Sequence, residues 1–155
     1  MLANRGANGI DGFVSSVLGA AAASPSPVVG LCGDLSLYHD LNGLLAVRRH
    51  GVRAVLLVVD NDGGGIFDHL PIARERARYE EFFVTPHGLD FRPVVEMYGA
   101  AFERVTRVGD LRGALERALA APRSSVVLLQ VDRAHSLAAH RRAWGDAEHA
   151  VGEHA

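Results

Sequence analysis

Lysine is absent from this 155-residue chain, in which all 16 basic residues are arginine. This absence excludes a P-loop lysine, a Schiff-base lysine and a lysine general base. The single cysteine, Cys32, excludes a disulfide within the chain and a cysteine-rich zinc site. Eight histidines are present, but they form no H-E-x-x-H motif and no paired metal-ligand spacing. We assign no role to His87, which lies in the polar loop predicted at 85–91.

Long apolar runs and a large net charge are also missing. The apolar runs stop well before the roughly 18 residues that a membrane helix needs. A net charge of −2 gives no indication of binding to nucleic acid or to an anionic membrane. The first residues also lack the apolar core of a secretory signal. We therefore expect a cytoplasmic protein that binds neither nucleic acid nor a membrane.

Apolar strands and amphipathic helices alternate along the chain, and 48% hydrophobic composition is sufficient for a core. The segment VRAVLLVVDND is so rich in β-branched residues and leucine that it predicts a strand buried on both faces. The alternation predicts an α/β fold of three layers, a parallel sheet with helices on both faces. We expect one domain at 1–145 and a frayed polar tail at 146–155. Strands are predicted at 27–32, 52–62, 102–108 and 125–131, and helices at 10–23, 35–49, 92–100 and 110–121.

Two polar residues end successive predicted strands. Asp34 follows the first strand and Asn61 ends the second, so a right-handed crossover places both at the carboxyl edge of the sheet, where ligands bind. Gly63, Gly64 and Gly65 then leave the backbone free to turn a carbonyl inward. Carboxylate, amide and carbonyl oxygens suit Mg²⁺. The residues alone leave a simpler interpretation open, in which Asp34 caps a helix and Asn61 makes a turn.

The spacing favours the metal site, because Gly-Asp, 26 intervening residues and Asn61 resemble the signature of thiamine-diphosphate enzymes. The stretches NRGANGIDG, GDLSLYHDLNGLL, NDGGGIFDHLP and TPHGLDF are similar to one family in particular. That family is the 2-succinyl-5-enolpyruvyl-6-hydroxy-3-cyclohexene-1-carboxylate synthases of menaquinone biosynthesis, and the resemblance is to their C-terminal domain. It extends from Asn4 to about Arg142. The chain has Leu35 where many thiamine enzymes have glycine and Asp60 where many have asparagine, and neither departure changes the expected ligands.

The resemblance implies thiamine diphosphate and Mg²⁺ as cofactors. It implies metal ligands at Asp34, Asn61 and the carbonyl of Gly63, and it makes Ile10 the apolar wedge beneath the thiazolium ring. The amides of Leu35, Ser36 and Gly64 would approach phosphate oxygens. The full set of implied cofactor contacts is Ile10, Gly33, Asp34, Leu35, Ser36, Asn61, Gly63, Gly64 and Ile66.

The same resemblance implies a synthase of the transferase class that decarboxylates 2-oxoglutarate and joins the product to isochorismate. Its substrate contacts would be Arg5, Ile66, Phe67 and Leu70. The family's essential glutamate belongs to an amino-terminal domain, so no catalytic residue is assigned here. We expect such a domain upstream of Met1, an inactive half-site in the isolated chain, and a homo-oligomer.

Three other functions stay open. An acetolactate-synthase-like enzyme would share Asp34 and Asn61 but not the TPHGLDF and NRGANGIDG stretches. A nucleotide-binding domain of the Rossmann type would need G-x-G-x-x-G after its first strand, which the chain lacks. A non-catalytic scaffold domain would keep the site only as structure.

Overall fold

The computed structural model describes residues 1–4 and 8–152. The chain divides into two compact units. The sheet unit comprises Met1–Asp60 and Gly88–Gln130, and the helical unit comprises Asn61–His87 and Val131–Ala155. Arg5 lies outside the described residues.

Every strand described belongs to the sheet unit. The four strands form one parallel sheet in the order β1-β2-β4-β3. This confirms the predicted α/β fold. The strands are β1 (Val29–Gly33), β2 (Val55–Asp60), β3 (Ala101–Val105) and β4 (Ser125–Gln130).

The described residues, 1–4 and 8–152, contain seven α-helices. Five lie in the sheet unit, and α4 and α7 lie in the helical unit. They are α1 (Phe13–Ala22), α2 (Asp34–His39), α3 (Leu45–His50), α4 (Arg76–Tyr79), α5 (Arg92–Met97), α6 (Leu111–Ala120) and α7 (Arg133–Gly152). Short 3₁₀ segments occupy Leu41–Leu44, Gly65–His69, Pro71–Arg74 and Val108–Asp110, and a π-helical turn occupies Glu80–Val84.

Helices cover both faces of the sheet. Successive strand residues point to opposite faces. Leu56, Val58 and Leu128 lie in the core cluster that includes α1. Val127 of β4 is also fully buried but lies outside that cluster. Helix α6, whose Ala114 is buried, contacts β4.

The prediction of one continuous helix at 35–49 is wrong, because the structure has two helices there, α2 and α3. The chain leaves helical geometry at Asp40, with φ −131° and ψ 32°, and continues as a 3₁₀ segment before α3 begins. The Asp40 carboxylate accepts hydrogen bonds from the Ser15 amide at 2.6 Å and the Ser15 hydroxyl at 3.1 Å. This contact with α1 fixes Asp40 in a conformation that a helix does not allow.

Helix α1 also begins later than predicted. Ile10 lies in the turn before it, and the helix starts at Phe13 after Gly12, whose φ of 65° is left-handed. Ile10 is 38% exposed, so it is not an ordinary core residue of α1.

Helix α7 continues to Gly152, beyond the boundary predicted at residue 145. The boundary and the frayed tail stay predictions. Across residues 1–4 and 8–152, every helix is too short or too polar to cross a membrane.

A buried hydroxyl connects β4 to the start of β2. The Ser124 hydroxyl accepts a hydrogen bond from the Ala54 amide at 3.0 Å and donates one to the Val52 carbonyl at 2.7 Å. We expect Ser124→Ala to lower the free energy of unfolding by about 1–3 kcal/mol, because both backbone groups lose their buried partner. Urea unfolding measures this loss.

Ser125→Ala is the matched control for that prediction. Ser125 is equally buried, but within residues 1–4 and 8–152 its hydroxyl makes a single long hydrogen bond, 3.5 Å to the Arg123 carbonyl. We expect a loss below about 1 kcal/mol. Equal losses in the two variants would contradict the role given to Ser124.

Candidate functional site

Two buried carboxylates meet at the carboxyl end of the sheet. Asp34 begins α2 immediately after β1, and Asp60 ends β2. Because Gly33 is aligned with Val59 in the parallel ladder, Asp34 and Asp60 are neighbours at the sheet edge. They are 2% and 8% exposed, and an oxygen of one lies within 4.8 Å of an oxygen of the other. A divalent cation stabilises such a pair of like charges.

The pKa of Cys32 is consistent with a negative charge on Asp34. Its thiol lies near the end of β1, and burial, followed by the charge of Asp34, raises its pKa to about 12. The thiol therefore stays protonated at neutral pH and is unsuited to act as a nucleophile.

The Asp34 carboxylate also contacts the backbone of α2. Its Oδ1 accepts a hydrogen bond from the Leu35 amide at 2.8 Å. Leu35 and Ser36 both lie in the first turn of α2, where amides have no partner within the helix. The Leu35 amide, which the resemblance directs toward a phosphate, thus has an acceptor within the protein.

Asn61 is the first residue of the helical unit. Its side-chain oxygen, Oδ1, is buried and has no hydrogen-bond partner among the described residues. A buried acceptor without a donor costs free energy unless another group satisfies it. The carboxamide is closely enclosed, since a Cβ on Gly65 would lie 2.5 Å from Asn61 Nδ2.

The glycine tract packs against the backbone of residues 83–85. A Cβ on Gly63 or Gly64 would come closer than 3.0 Å to the carbonyl oxygen of Val84 or Phe83, respectively. The Gly64 amide donates to the Val84 carbonyl at 2.8 Å, and the Gly63 carbonyl accepts from the Gly65 amide at 2.9 Å.

Apolar side chains follow the glycine tract. Ile66 is 74% exposed and Leu70 is 47% exposed. Phe67 is half-buried, and its ring meets that of Phe83 edge to face with centroids 5.9 Å apart. The segment therefore leaves apolar surface available to a ligand.

Apart from Ile10, in the turn before α1, and Arg5, which lies outside the described residues, the predicted site residues form two sets. Gly33, Asp34, Leu35 and Ser36 lie at one strand end of the sheet unit. Asn61, Gly63, Gly64, Ile66, Phe67 and Leu70 lie within ten residues of the helical unit. His87, left unassigned, has its Nδ1 3.5 Å from Asp62 Oδ1 and donates its amide to that same oxygen at 3.1 Å.

Sequence reasoning missed two features. It treated Asp60 only as a departure from a motif, although parallel register would have placed it beside Asp34. It also missed the contacts of Arg133 with Asp68 and Glu80, which join distant parts of the chain. No local signal in the sequence indicates that pairing.

Residues 4–129 match the family model described as thiamine pyrophosphate enzyme, C-terminal TPP binding domain. A synthase of Halobacterium salinarum, the 2-succinyl-5-enolpyruvyl-6-hydroxy-3-cyclohexene-1-carboxylate synthase, is 49% identical over 132 residues, which are 85% of this chain and 23% of that protein. The synthase of the same name from Geobacillus thermodenitrificans is 46% identical over 144 residues, 93% of this chain and 24% of that one. The chain therefore spans about a quarter of the length of these curated relatives.

Two solved structures share the fold. The thiamine diphosphate-dependent 4-hydroxybenzoylformate decarboxylase of Rhodococcus jostii aligns with a TM-score of 0.65 at 24% identity, over 76% of this chain and 22% of that one. Benzoylformate decarboxylase from Polynucleobacter necessarius aligns with a TM-score of 0.64 at 23% identity, over 82% and 24%.

Proposed function

Because the chain belongs to the thiamine pyrophosphate enzymes, as their C-terminal TPP binding domain, we propose that it holds the diphosphate end of thiamine diphosphate through Mg²⁺. The ligands would be the Asp34 carboxylate, the Asn61 side-chain oxygen and the Gly63 carbonyl. The observation that carries the proposal is the buried Asn61 Oδ1, which has no donor among the described residues. A cation would satisfy that oxygen, and three hard oxygens suit Mg²⁺.

The donor set fits the cofactor as well as the ion. Asp60 adds a second buried carboxylate beside Asp34, and a dication is a suitable counter-ion where two carboxylates lie close together. The amides of Leu35, Ser36 and Gly64 would face phosphate oxygens. Leu35 and Gly64 would exchange their present acceptors for these oxygens when the cofactor binds.

The apolar contacts complete the proposed cofactor site. Ile10 would support the thiazolium ring from the turn before α1, and Gly33 and Ile66 would border the cofactor. Once bound, thiamine diphosphate supplies carbanion chemistry, and the protein supplies orientation and charge placement.

We further propose that the whole enzyme is a menaquinone-pathway synthase. It would decarboxylate 2-oxoglutarate and transfer the resulting four-carbon unit to isochorismate. Sequence identities of 49% and 46% to curated synthases support this reaction. Arg5, Ile66, Phe67 and Leu70 would contact substrate, with Arg5 pairing to a carboxylate. We also propose a cytoplasmic homo-oligomer.

The isolated chain would be a half-site without turnover. The curated relatives have about three quarters of their length outside the match, and the resemblance assigns the essential glutamate to that part. We expect the isolated chain to release no product when it is supplied with both substrates, thiamine diphosphate and Mg²⁺. Robust turnover would contradict the half-site.

Cofactor binding is tested on the chain by calorimetric titration and thermal unfolding. At a cofactor concentration about ten times Kd, Mg²⁺ and thiamine diphosphate together should stabilise the fold by about 1.4 kcal/mol and raise Tm by roughly 3–5 °C. Chelating Mg²⁺ should abolish the shift, as should Asp34→Ala. Glu116→Ala, which removes an exposed carboxylate of α6, is the control and should keep it. No saturable binding by the unaltered chain would overturn the proposal.

A further inference from the structure

A single guanidinium joins three segments of the helical unit. Arg133 is the first residue of α7. Its Nε lies 3.3 Å from Asp68 Oδ2, in the Gly65–His69 segment. Its Nη1 and Nη2 donate to Glu80 Oε2 at 3.1 Å and Oε1 at 2.5 Å, in the π-helical turn. The contact with Glu80 is bidentate, the geometry in which arginine binds a carboxylate most strongly.

Both oxygens of Asp68 are engaged. While Oδ2 faces Arg133, Oδ1 accepts a hydrogen bond from the buried Tyr79 hydroxyl at 2.7 Å. The Asp68 side chain is only 10% exposed and that of Arg133 28%. These contacts are therefore screened less by solvent than those of a surface ion pair. Burial and the bond to Asp68 raise the pKa of Tyr79, and the bond to Arg133 lowers the pKa of Glu80.

The next residue makes a second contact with α7. The His69 ring lies 4.9 Å from that of Trp144 and 5.4 Å from that of His140, measured between centroids. Arg133, His140 and Trp144 are separated by seven and four residues, so they share one face of α7. Packing is also close at the start of the segment, where a Cβ on Gly65 would lie 3.4 Å from Arg133 Cγ.

We propose that Arg133 is a positioning residue that holds the Gly65–His69 segment in place through Asp68. Its importance to catalysis rests on the proposed function, in which this segment presents Ile66 and Phe67 to cofactor and substrate. The apolar side chains of Ile66 and Phe67 are both at least partly exposed. Their position is set by the anchored neighbours Gly65, Asp68 and His69.

The test measures amide hydrogen exchange in the 155-residue chain without ligand. In Arg133→Met, exchange at Phe67 and Leu70 should accelerate at least about tenfold, because their amide hydrogen bonds to Gly64 and Phe67 depend on a segment that has lost its anchor. Exchange in β2 should not change. Arg133→Lys keeps the charge but not the bidentate contact, and should restore protection only in part.

Arg117→Met is the matched control, because Arg117 makes an equivalent two-atom contact with Glu103 in the sheet unit. It should leave exchange of the Gly65–His69 segment unchanged. Trp144 is the only tryptophan, so its emission independently reports loss of the His69 contact in Arg133→Met. Unaltered exchange at Phe67 and Leu70, or acceleration of equal size in β2, would overturn the proposal.

Titration with Mg²⁺ and thiamine diphosphate separates this inference from the proposed function. If the unaltered chain fails to bind, the proposed function is overturned, and exchange alone decides the role of Arg133. If the unaltered chain binds, Arg133→Met should bind about tenfold more weakly and Arg117→Met equally well. Equal affinity in Arg133→Met would overturn the positioning role while leaving the proposed function intact.

Discussion

Replacing Gly63 with alanine is expected to lower the free energy of unfolding by roughly 2–5 kcal/mol. Two causes add. The φ of Gly63 is +126°, a conformation that residues with a side chain rarely adopt. An added Cβ would also collide with the backbone carbonyl of Val84, which cannot move aside as a flexible side chain does. Chemical unfolding followed by far-UV circular dichroism measures the loss.

Gly51→Ala is the control that separates these causes. Gly51 ends α3 with a φ of +63°, and a Cβ there would meet nothing within 4 Å. Only the backbone cost applies, about 1–2 kcal/mol. If Gly63→Ala costs no more than Gly51→Ala, the close approach of Gly63 to Val84 is not a constraint on the fold.

Asn61→Ala is expected to abolish the stabilisation by Mg²⁺ and thiamine diphosphate without destabilising the chain itself. The truncation removes a buried oxygen that has no donor among the described residues, so the loss of packing is offset by relief of an unsatisfied group. In the absence of ligand we expect Tm to stay within a few degrees of that of the unaltered chain. With ligand, the rise in Tm should disappear.

The measurement is thermal unfolding at matched concentrations of Mg²⁺ and thiamine diphosphate. Asn42→Ala is the control, because Asn42 is exposed in the 3₁₀ segment Leu41–Leu44. It should retain the full rise in Tm. A normal ligand-induced rise in Asn61→Ala would remove Asn61 from the set of metal ligands.

The parallel sheet was predictable because its signal is local. Strand β2 is a run of valine and leucine that ends at Asp60, and its position agrees with the prediction to within a few residues at each end. Such runs bury both faces, and the alternating helices require a parallel arrangement. The helix predicted across Asp40 failed because the contact that breaks it comes from Ser15, 25 residues away. Helical periodicity carries no information about such a partner.

The helical unit was harder to predict for the same reason. Its segments before α7 are short, and their arrangement depends on pairs such as Arg133 with Glu80, which are 53 residues apart. The spacing around Asp34 and Asn61 pointed to a metal site, and the other site residues were implied by the family resemblance. The spacing did not indicate that Asp60 lies beside Asp34. That proximity follows only from the register of β1 and β2.

The strand order also has a consequence for how the chain is made. Strand β3 pairs with β4, and β4 is inserted between β2 and β3 although it is synthesised after both. While the ribosome is still translating the residues before Gln130, a nascent β3 has no neighbour in this sheet. Only the β1-β2 pair is available to fold early, so completion of the sheet waits for the emergence of β4.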